Sequence, residues 1–180
     1  MENTLSLTKY WLTDIVIGLD LCPFARIPFE RGLIKTTICD ESGEEEMLSA
    51  ALIELENLNE IGPQELSTTL IVYPNGPQSF YEFNDFVLDL EAMMEEAELG
   101  DIFQLVAFHP EFVFEDTDFD EVGNLVNRAP FPILQIIRSE EIMRAMKNPK
   151  DGEVISFNND KKLNALSQEA RDSLFYYLKK

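Results

Sequence analysis

Between Thr36 and Asn127 the chain carries no lysine or arginine; all 14 of its cationic residues lie at or before Lys35 or from Arg128 onward. Against them stand 34 Asp and Glu, a formal net charge of -20 at pH 7. Binding to duplex phosphate draws its affinity from Lys and Arg that neutralise phosphates, so nucleic acid is excluded as an expected partner. Anionic membrane surfaces are disfavoured for the same reason. Cysteine is scarce as well: Cys22 and Cys39 alone do not make a disulfide framework. No charged leader followed by an apolar core opens the sequence, and no apolar run approaches the length of a membrane span. The expectation is a soluble, acidic protein of the reducing cytoplasm.

What is present is the material of a globular core: 45% hydrophobic residues and 13 Phe in 180 positions. A compact chain of this length buries roughly 70% of its unfolded surface and needs no staples. One domain over residues 1–180 is expected, because no linker, repeat or low-complexity stretch divides it.

Periodicity orders the chain. Residues 4–21 place Leu5, Trp11, Leu12, Ile15, Val16 and Leu19 on one broad helical face, and Pro23 ends it. Residues 33–39 read as a strand rich in Ile and Thr. Ser42 with Glu45 reads as a capping box for a helix that presents Leu48, Ala51, Leu52, Leu55 and Leu58, broken by Gly62-Pro63. A second strand, 68–73, stops at Pro74. Ser79 with Glu82 opens a helix whose Phe80, Phe83, Val87, Leu90, Met94 and Ala97 form a core seam, ended by Gly100. Residues 102–108 and 133–137 are the third and fourth strands; 139–147 and 161–178 are helices, separated by a turn at 148–152. This alternation predicts an α/β fold with a three- or four-stranded, mainly parallel or mixed sheet. The fourth strand has the option of antiparallel pairing, because a long loop rather than a helix precedes it.

Three polar blocks fall at element ends. In Leu21-Cys22-Pro23-Phe24-Ala25-Arg26, the setting of Pro23 decides the thiol's character. If Cys22 ends the first helix, the dipole disfavours a thiolate; if Pro23 is the first residue of a new helix, Cys22 is its N-cap and Arg26 lies one turn on. In Phe108-His109-Pro110 the only histidine sits at the carboxyl end of the third strand, where open parallel sheets place their ligands. In Asn124-Leu125-Val126-Asn127-Arg128-Ala129-Pro130-Phe131-Pro132, two prolines stiffen a loop that presents Asn127 and Arg128, and Arg138 follows at the end of the next strand. Guanidinium groups suit paired hydrogen bonding to a carboxylate or phosphate.

No cofactor can be named. Glycine-rich phosphate loops and a Gly-x-Ser-x-Gly elbow are missing. The acidic loop from Glu115 to Glu121 fails the calcium-loop template, since counting from Asp116 the turn-glycine position is Glu121 and the terminal glutamate position is Asn127. His109, Cys22 and Cys39 lack the paired spacing of a zinc site; a solvated acidic loop is favoured over magnesium held with an anionic substrate, the alternative left open, so no metal is assigned.

The blocks Ile17-Gly18-Leu19-Asp20-Leu21-Cys22-Pro23-Phe24-Ala25, Thr69-Leu70-Ile71-Val72-Tyr73-Pro74, Phe108-His109-Pro110 and Asn127-Arg128-Ala129-Pro130-Phe131-Pro132, in that order, resemble an uncharacterised bacterial family, domain of unknown function 1415. The resemblance covers most of the chain. That family usually has Asn where Asp20 stands, His where Gln135 stands and an acidic residue where Ser139 stands. The resemblance strengthens the idea of a shared pocket and implies no particular activity.

Three functional expectations follow. The first is an enzyme for a small anionic metabolite: Arg26, Asn127, Arg128 and Arg138 as its binding groups, His109 as general acid/base, Cys22 as nucleophile or second acid/base group. The second is a non-catalytic binding or regulatory module, with Phe112, Phe114 and Phe119 of the acidic loop docking a basic protein partner. The third is a thiol redox pair, which needs the Cα atoms of Cys22 and Cys39 within about 7 Å or a mobile segment that brings them there.

Overall fold

A computed structural model describes residues 2–146, 148 and 150–179. Its centre is one mixed four-stranded sheet of β1 (Ile34–Ile38), β2 (Thr68–Val72), β3 (Phe103–Phe108) and β4 (Ile133–Arg138), in the order β1-β2-β4-β3. The sheet is of the mixed kind expected, with the fourth strand taking the antiparallel option. Only β1 and β2 are parallel, while β4 runs antiparallel to both β2 and β3. The reason lies in the connection. After β3 the chain folds straight back, with the His109 N–H bonded to Asn127 O and the Ala129 N–H to His109 O, and re-enters the sheet without a helical crossover.

The period-2 alternation of strands splits their side chains between two faces. Ile71, Leu134, Ile136 and Phe103 point to the first face, which α3 (Glu44–Glu60) and α4 (Phe80–Glu96) cover through Met47, Ala51, Leu55, Leu58, Phe83, Val87 and Leu90. Leu70, Val72 and Ile133 point to the second face, with Phe108 packed beside them. There the cover comes from α1 (Glu2–Tyr10), a π-helical stretch (Trp11–Ile17), α2 (Arg26–Glu30), residues 122–131, α6 (Asp151–Ala165) and α7 (Gln168–Leu174), with α5 (Ser139–Ala145) at the side of a cavity over that face.

Helix ends account for most differences from the sequence reading. The N-cap of α3 is Gly43, not Ser42, and its first turn is Glu44-Glu45-Glu46. Those carboxylates face the positive end of the helix dipole, which supports the start without a capping side chain. Ser79 does sit at the N-cap of α4, though without a side-chain cap bond. That helix ends before Gly100. Glu98 takes the left-handed conformation (φ 59°), and Leu99 N–H bonds Met94 O while Glu98 N–H bonds Glu95 O, a Schellman closure. Asp20 (φ 52°) closes the π-helical stretch in the same way, with Leu21 N–H on Val16 O and Asp20 N–H on Ile17 O. Asp and Asn tolerate this geometry better than most side chains. At Gly18 a Cβ would stand 2.2 Å from the Asp14 carbonyl oxygen. The Gly-Leu-Asp block is therefore turn-building.

The first helical face also shifts. Thr4 and Thr8 are buried whereas Leu5 is exposed, because the widening at Trp11 changes the phase between the two helical segments. The long final helix divides into α6, which starts at Asp151, and α7, where Ser167 accepts the Ala170 N–H as N-cap. Lys147, expected to end α5, and Pro149 of the expected turn lie outside the described residues. Among the described residues no helix is long and apolar enough to cross a membrane.

Candidate functional site: a cavity over the second sheet face

Alternate residues of the strands make the floor of a cavity of about 1000 Å³: Ile34, Thr68, Leu70, Val106, Gln135 and Ile137. It lies across the sheet face and toward the amino ends of β1 and β2, not beyond the carboxyl ends where the sequence reading sought it. The π-helical stretch and the turn after it form one wall through Trp11, Val16, Leu21 and Cys22; α6 forms another through Ile155 and Asn159. Asn127 and Phe114 border a third side. The lining is chiefly apolar, with a few polar groups set into it.

Those polar groups are already oriented. Gln135 donates to Thr68 Oγ1 (3.0 Å), which donates onward to Ile136 O (2.7 Å). Asn159 donates to Leu21 O (2.7 Å), and Asn127 to Ala107 O (3.3 Å). Ser67 hydrogen-bonds Glu141. Trp11 differs: it is 1% exposed, packs edge-on against Phe108, and its indole N–H has no acceptor among the described residues. A buried donor left unmade costs about 1–3 kcal/mol. Ionic residues of the lining are mostly acidic, Glu121, Glu141 and Asp160 against Arg144, and Arg144 pairs with Glu140.

Of the four residues expected to form one constellation, the cavity receives Cys22 and Asn127 but not His109 or Arg128. His109 is 1% exposed and turned to the first sheet face, stacked on Phe83 and tilted against Phe80. Its Nε2–H donates to Pro77 O (3.0 Å) and its Nδ1 accepts the Glu111 N–H (3.0 Å). A Cys22–His109 dyad therefore has no shared space. Cys39 also packs on the first face, beside α3, so the redox pair is separated by the sheet, and both thiols are free.

The three arginines are dispersed too. Arg26 donates to Ile17 O (3.1 Å), capping the π-helical stretch. Arg138 donates to Leu58, Ile61 and Leu66 carbonyls at the end of α3. Arg128 donates to Phe112 O (3.2 Å) and Phe119 O (2.6 Å) and lies 4.4 Å above the Phe119 ring. Burial lowers the Arg128 pKa, countered by Asp120 and Glu111. The sequence singles out cations, and here cations serve mainly to close backbone. Of the three loop aromatics expected to dock a partner, Phe112 is buried against Phe80 and Phe114, whereas Phe114 and Phe119 are exposed, Phe119 beneath Arg128.

Neither orientation expected for Cys22 is met. The first helix closes at Gly18, and the N-cap of α2 is Ala25, reached through a turn in which Ala25 N–H bonds Cys22 O. Burial pushes the thiol pKa up; the backbone N–H groups of Phe24 and Ala25 oppose that, and Asp20 adds to it. Alkylation of Cys22 by iodoacetamide, measured against pH in a Cys39→Ala background, is thus expected to inflect above the ordinary thiol value of 9.0. Because the folded state holds this proton more tightly than the unfolded state, the associated stability is lost as pH rises through the folded value. An inflection below 9 would contradict the burial argument.

Sequence reasoning missed Trp11, Thr68 and Asn159 as lining residues, and it noted Gln135 only as a departure from the family pattern. Asn124, which opens the third polar block, was given no role there; it is fully buried and holds the acidic loop. A family model described as "Protein of unknown function (DUF1415)" matches residues 3–173. No curated protein and no solved structure matches the chain.

Proposed function

Because the chain belongs to the DUF1415 family, whose description names no activity, we propose from the geometry that it binds a small, largely apolar molecule in the sheet-face cavity. The observation that carries this is the cavity itself: about 1000 Å³, floored by Ile34, Leu70, Val106 and Ile137, with a few fixed polar groups among them. Ligand sites have this make-up, an apolar body with a few placed polar groups that set orientation. An anionic metabolite fits less well, since Arg26, Arg128 and Arg138 are engaged with backbone carbonyls and the lining carries three carboxylates to one guanidinium.

An enzymatic reading retains one specific support: the Cys22 thiol opens on the same cavity and lies against the Phe24 and Ala25 N–H groups. A bound molecule would stand beside it.

Titration with the hydrocarbon probe diphenylhexatriene tests the binding reading. Saturable binding is expected, with affinity reduced at least about tenfold (about 1.4 kcal/mol) by Val106→Trp, which fills the floor. Saturation should also slow Cys22 alkylation. Absence of saturable binding, or a Val106→Trp variant that binds as well as the wild type, would remove the reading.

A further inference from the structure

We infer that the outer flank of α3 docks a cationic amphipathic helix of a partner protein, seated along Leu48, Leu52 and Ile53 between Glu45 and Glu56. The cavity on the other sheet face takes no part, so failure of diphenylhexatriene to bind there would leave this surface untouched.

The first ground is a recess in an outward-facing flank. α3 buries one stripe, Met47, Ala51, Leu55 and Leu58, against the first sheet face. The helical period turns Ser49, Ile53 and Glu56 away from that stripe, with Leu52 beside them. Leu52 is 38% exposed and Ile53 55%. Single exposed apolar side chains are common and need no partner. These two instead line, with Leu48, a shallow recess of about 320 Å³ whose remaining lining is Glu45, Ser49 and Glu56. All six belong to α3, at i, i+3, i+4, i+7, i+8 and i+11, so the recess follows the helix for about 16 Å. That is the groove between side-chain ridges which accepts the ridge of a second helix.

Charge decides what kind of helix fits. Glu45 and Glu56 form no ion pair among the described residues, and neither do Glu44, Glu46 and Glu60 of the same helix. Lys35 holds Glu54, a buried carboxylate on the β1 side of α3. No Lys or Arg occurs between Thr36 and Asn127 to neutralise the rim locally. A second copy of the chain would bring another net charge of -20 to it. Anionic membranes and nucleic acid are repelled for the same reason. Lys and Arg flanking an apolar stripe meet both conditions: the cations set approach and register at Glu45 and Glu56, and the stripe covers Leu52 and Ile53.

The test uses a synthetic peptide of leucine and lysine, roughly 18 residues long so that it can form a helix, with leucine at helical spacing. Its controls are a permuted peptide of the same composition without the stripe, and a leucine–glutamate peptide that keeps the stripe. Calorimetry at about 0.15 M salt, where long-range attraction is largely screened, should show the first peptide binding at least about tenfold tighter than either control. Ile53→Asp should weaken it at least about tenfold even though it adds a negative charge. Phe157→Asp, the same kind of change at a 70% exposed site on α6, should leave it unchanged. Non-specific attraction would give the opposite sign at Ile53. In the wild-type protein, which depends on no variant folding, the Ile53 methyl signal should shift while those of Ile34 and Ile137 stay in place. Docking on α3 is contradicted if either control peptide binds as well, if Ile53→Asp binds as tightly as the wild type, or if the shifts centre on Ile34 and Ile137. A dimer in sedimentation velocity that Ile53→Asp dissociates would make a second copy the occupant and contradict it equally.

Discussion

Asn124→Ala is expected to lower unfolding free energy by about 3–4 kcal/mol, read as a reduced urea midpoint with an unchanged slope. Asn124 is 0% exposed, and its carboxamide organises residues 114–119. Oδ1 accepts the Phe114 N–H (2.9 Å) and lies 3.0 Å from the Thr117 hydroxyl, while Nδ2 donates to Asp118 O (2.8 Å) and Phe119 O (3.3 Å). Removing it strands several backbone groups at once. Part of the loss would be recovered by water, since this loop borders solvent, which is why the effect stays below the sum of separate bonds. The local consequence is faster hydrogen exchange at the Phe114 amide. Asn124→Asp would turn a carboxylate oxygen toward the Asp118 and Phe119 carbonyls in a fully buried site, so at neutral pH it should be no more stable than Asn124→Ala. Equal stability of Asn124→Ala and wild type would show that the loop holds itself.

His109→Ala is expected to cost about 3 kcal/mol, with the cavity over the second face left able to bind its probe. Truncation opens a void between Phe80 and Phe83 and leaves Pro77 O and the Glu111 N–H without their ring partners. The backbone of His109 would still bind Asn127 and Phe112, so the β3–β4 return survives. Diphenylhexatriene binding separates the two views of this residue. A structural His109 predicts a lower urea midpoint with probe affinity retained under native conditions. Loss of binding without loss of stability would return His109 to the site.

Much of the fold was legible because hydrophobic periodicity is a local signal. All four strands and the buried stripes of α3 and α4 follow from spacing, although the α3 stripe is Met47-Ala51-Leu55-Leu58, not one containing Leu52. Strand order was not legible. That β4 lies between β2 and β3 depends on the fold-back at His109, a contact between residues 109 and 127–129 that no local pattern encodes. Helix ends were misplaced where acidic residues did the work expected of other types: Glu44 to Glu46 at the start of α3, Glu98 in place of Gly100 at the end of α4.

The site was legible only in part, for a physical reason. A search for chemistry favours charged and titratable residues at element ends, and in this chain Arg26, Arg128, Arg138 and His109 satisfy backbone groups there. The cavity is made instead from every second residue of the strands, together with Trp11 near one end of the sequence and Asn159 near the other. Alternation marks such residues as inward-facing, but it cannot tell a packed floor from an open one. Asn159 could be recognised only once its bond to Leu21 O tied α6 to the Cys22 turn. Cys22 and Asn127 were found because they lie in the short blocks that also define the family resemblance.

The proposed place of small-molecule binding is the sheet-face cavity. Isoleucine methyl NMR tests this most directly, because the relevant residues are distributed inside and outside it. On saturation with diphenylhexatriene, the methyl signals of Ile34, Ile137, Ile142 and Ile155, which line the cavity, should shift, while Ile53 and Ile61 on the far side of α3 stay in place. Shifts centred on Ile53 and Ile61, or none at Ile34 and Ile137 under saturating probe, would contradict it.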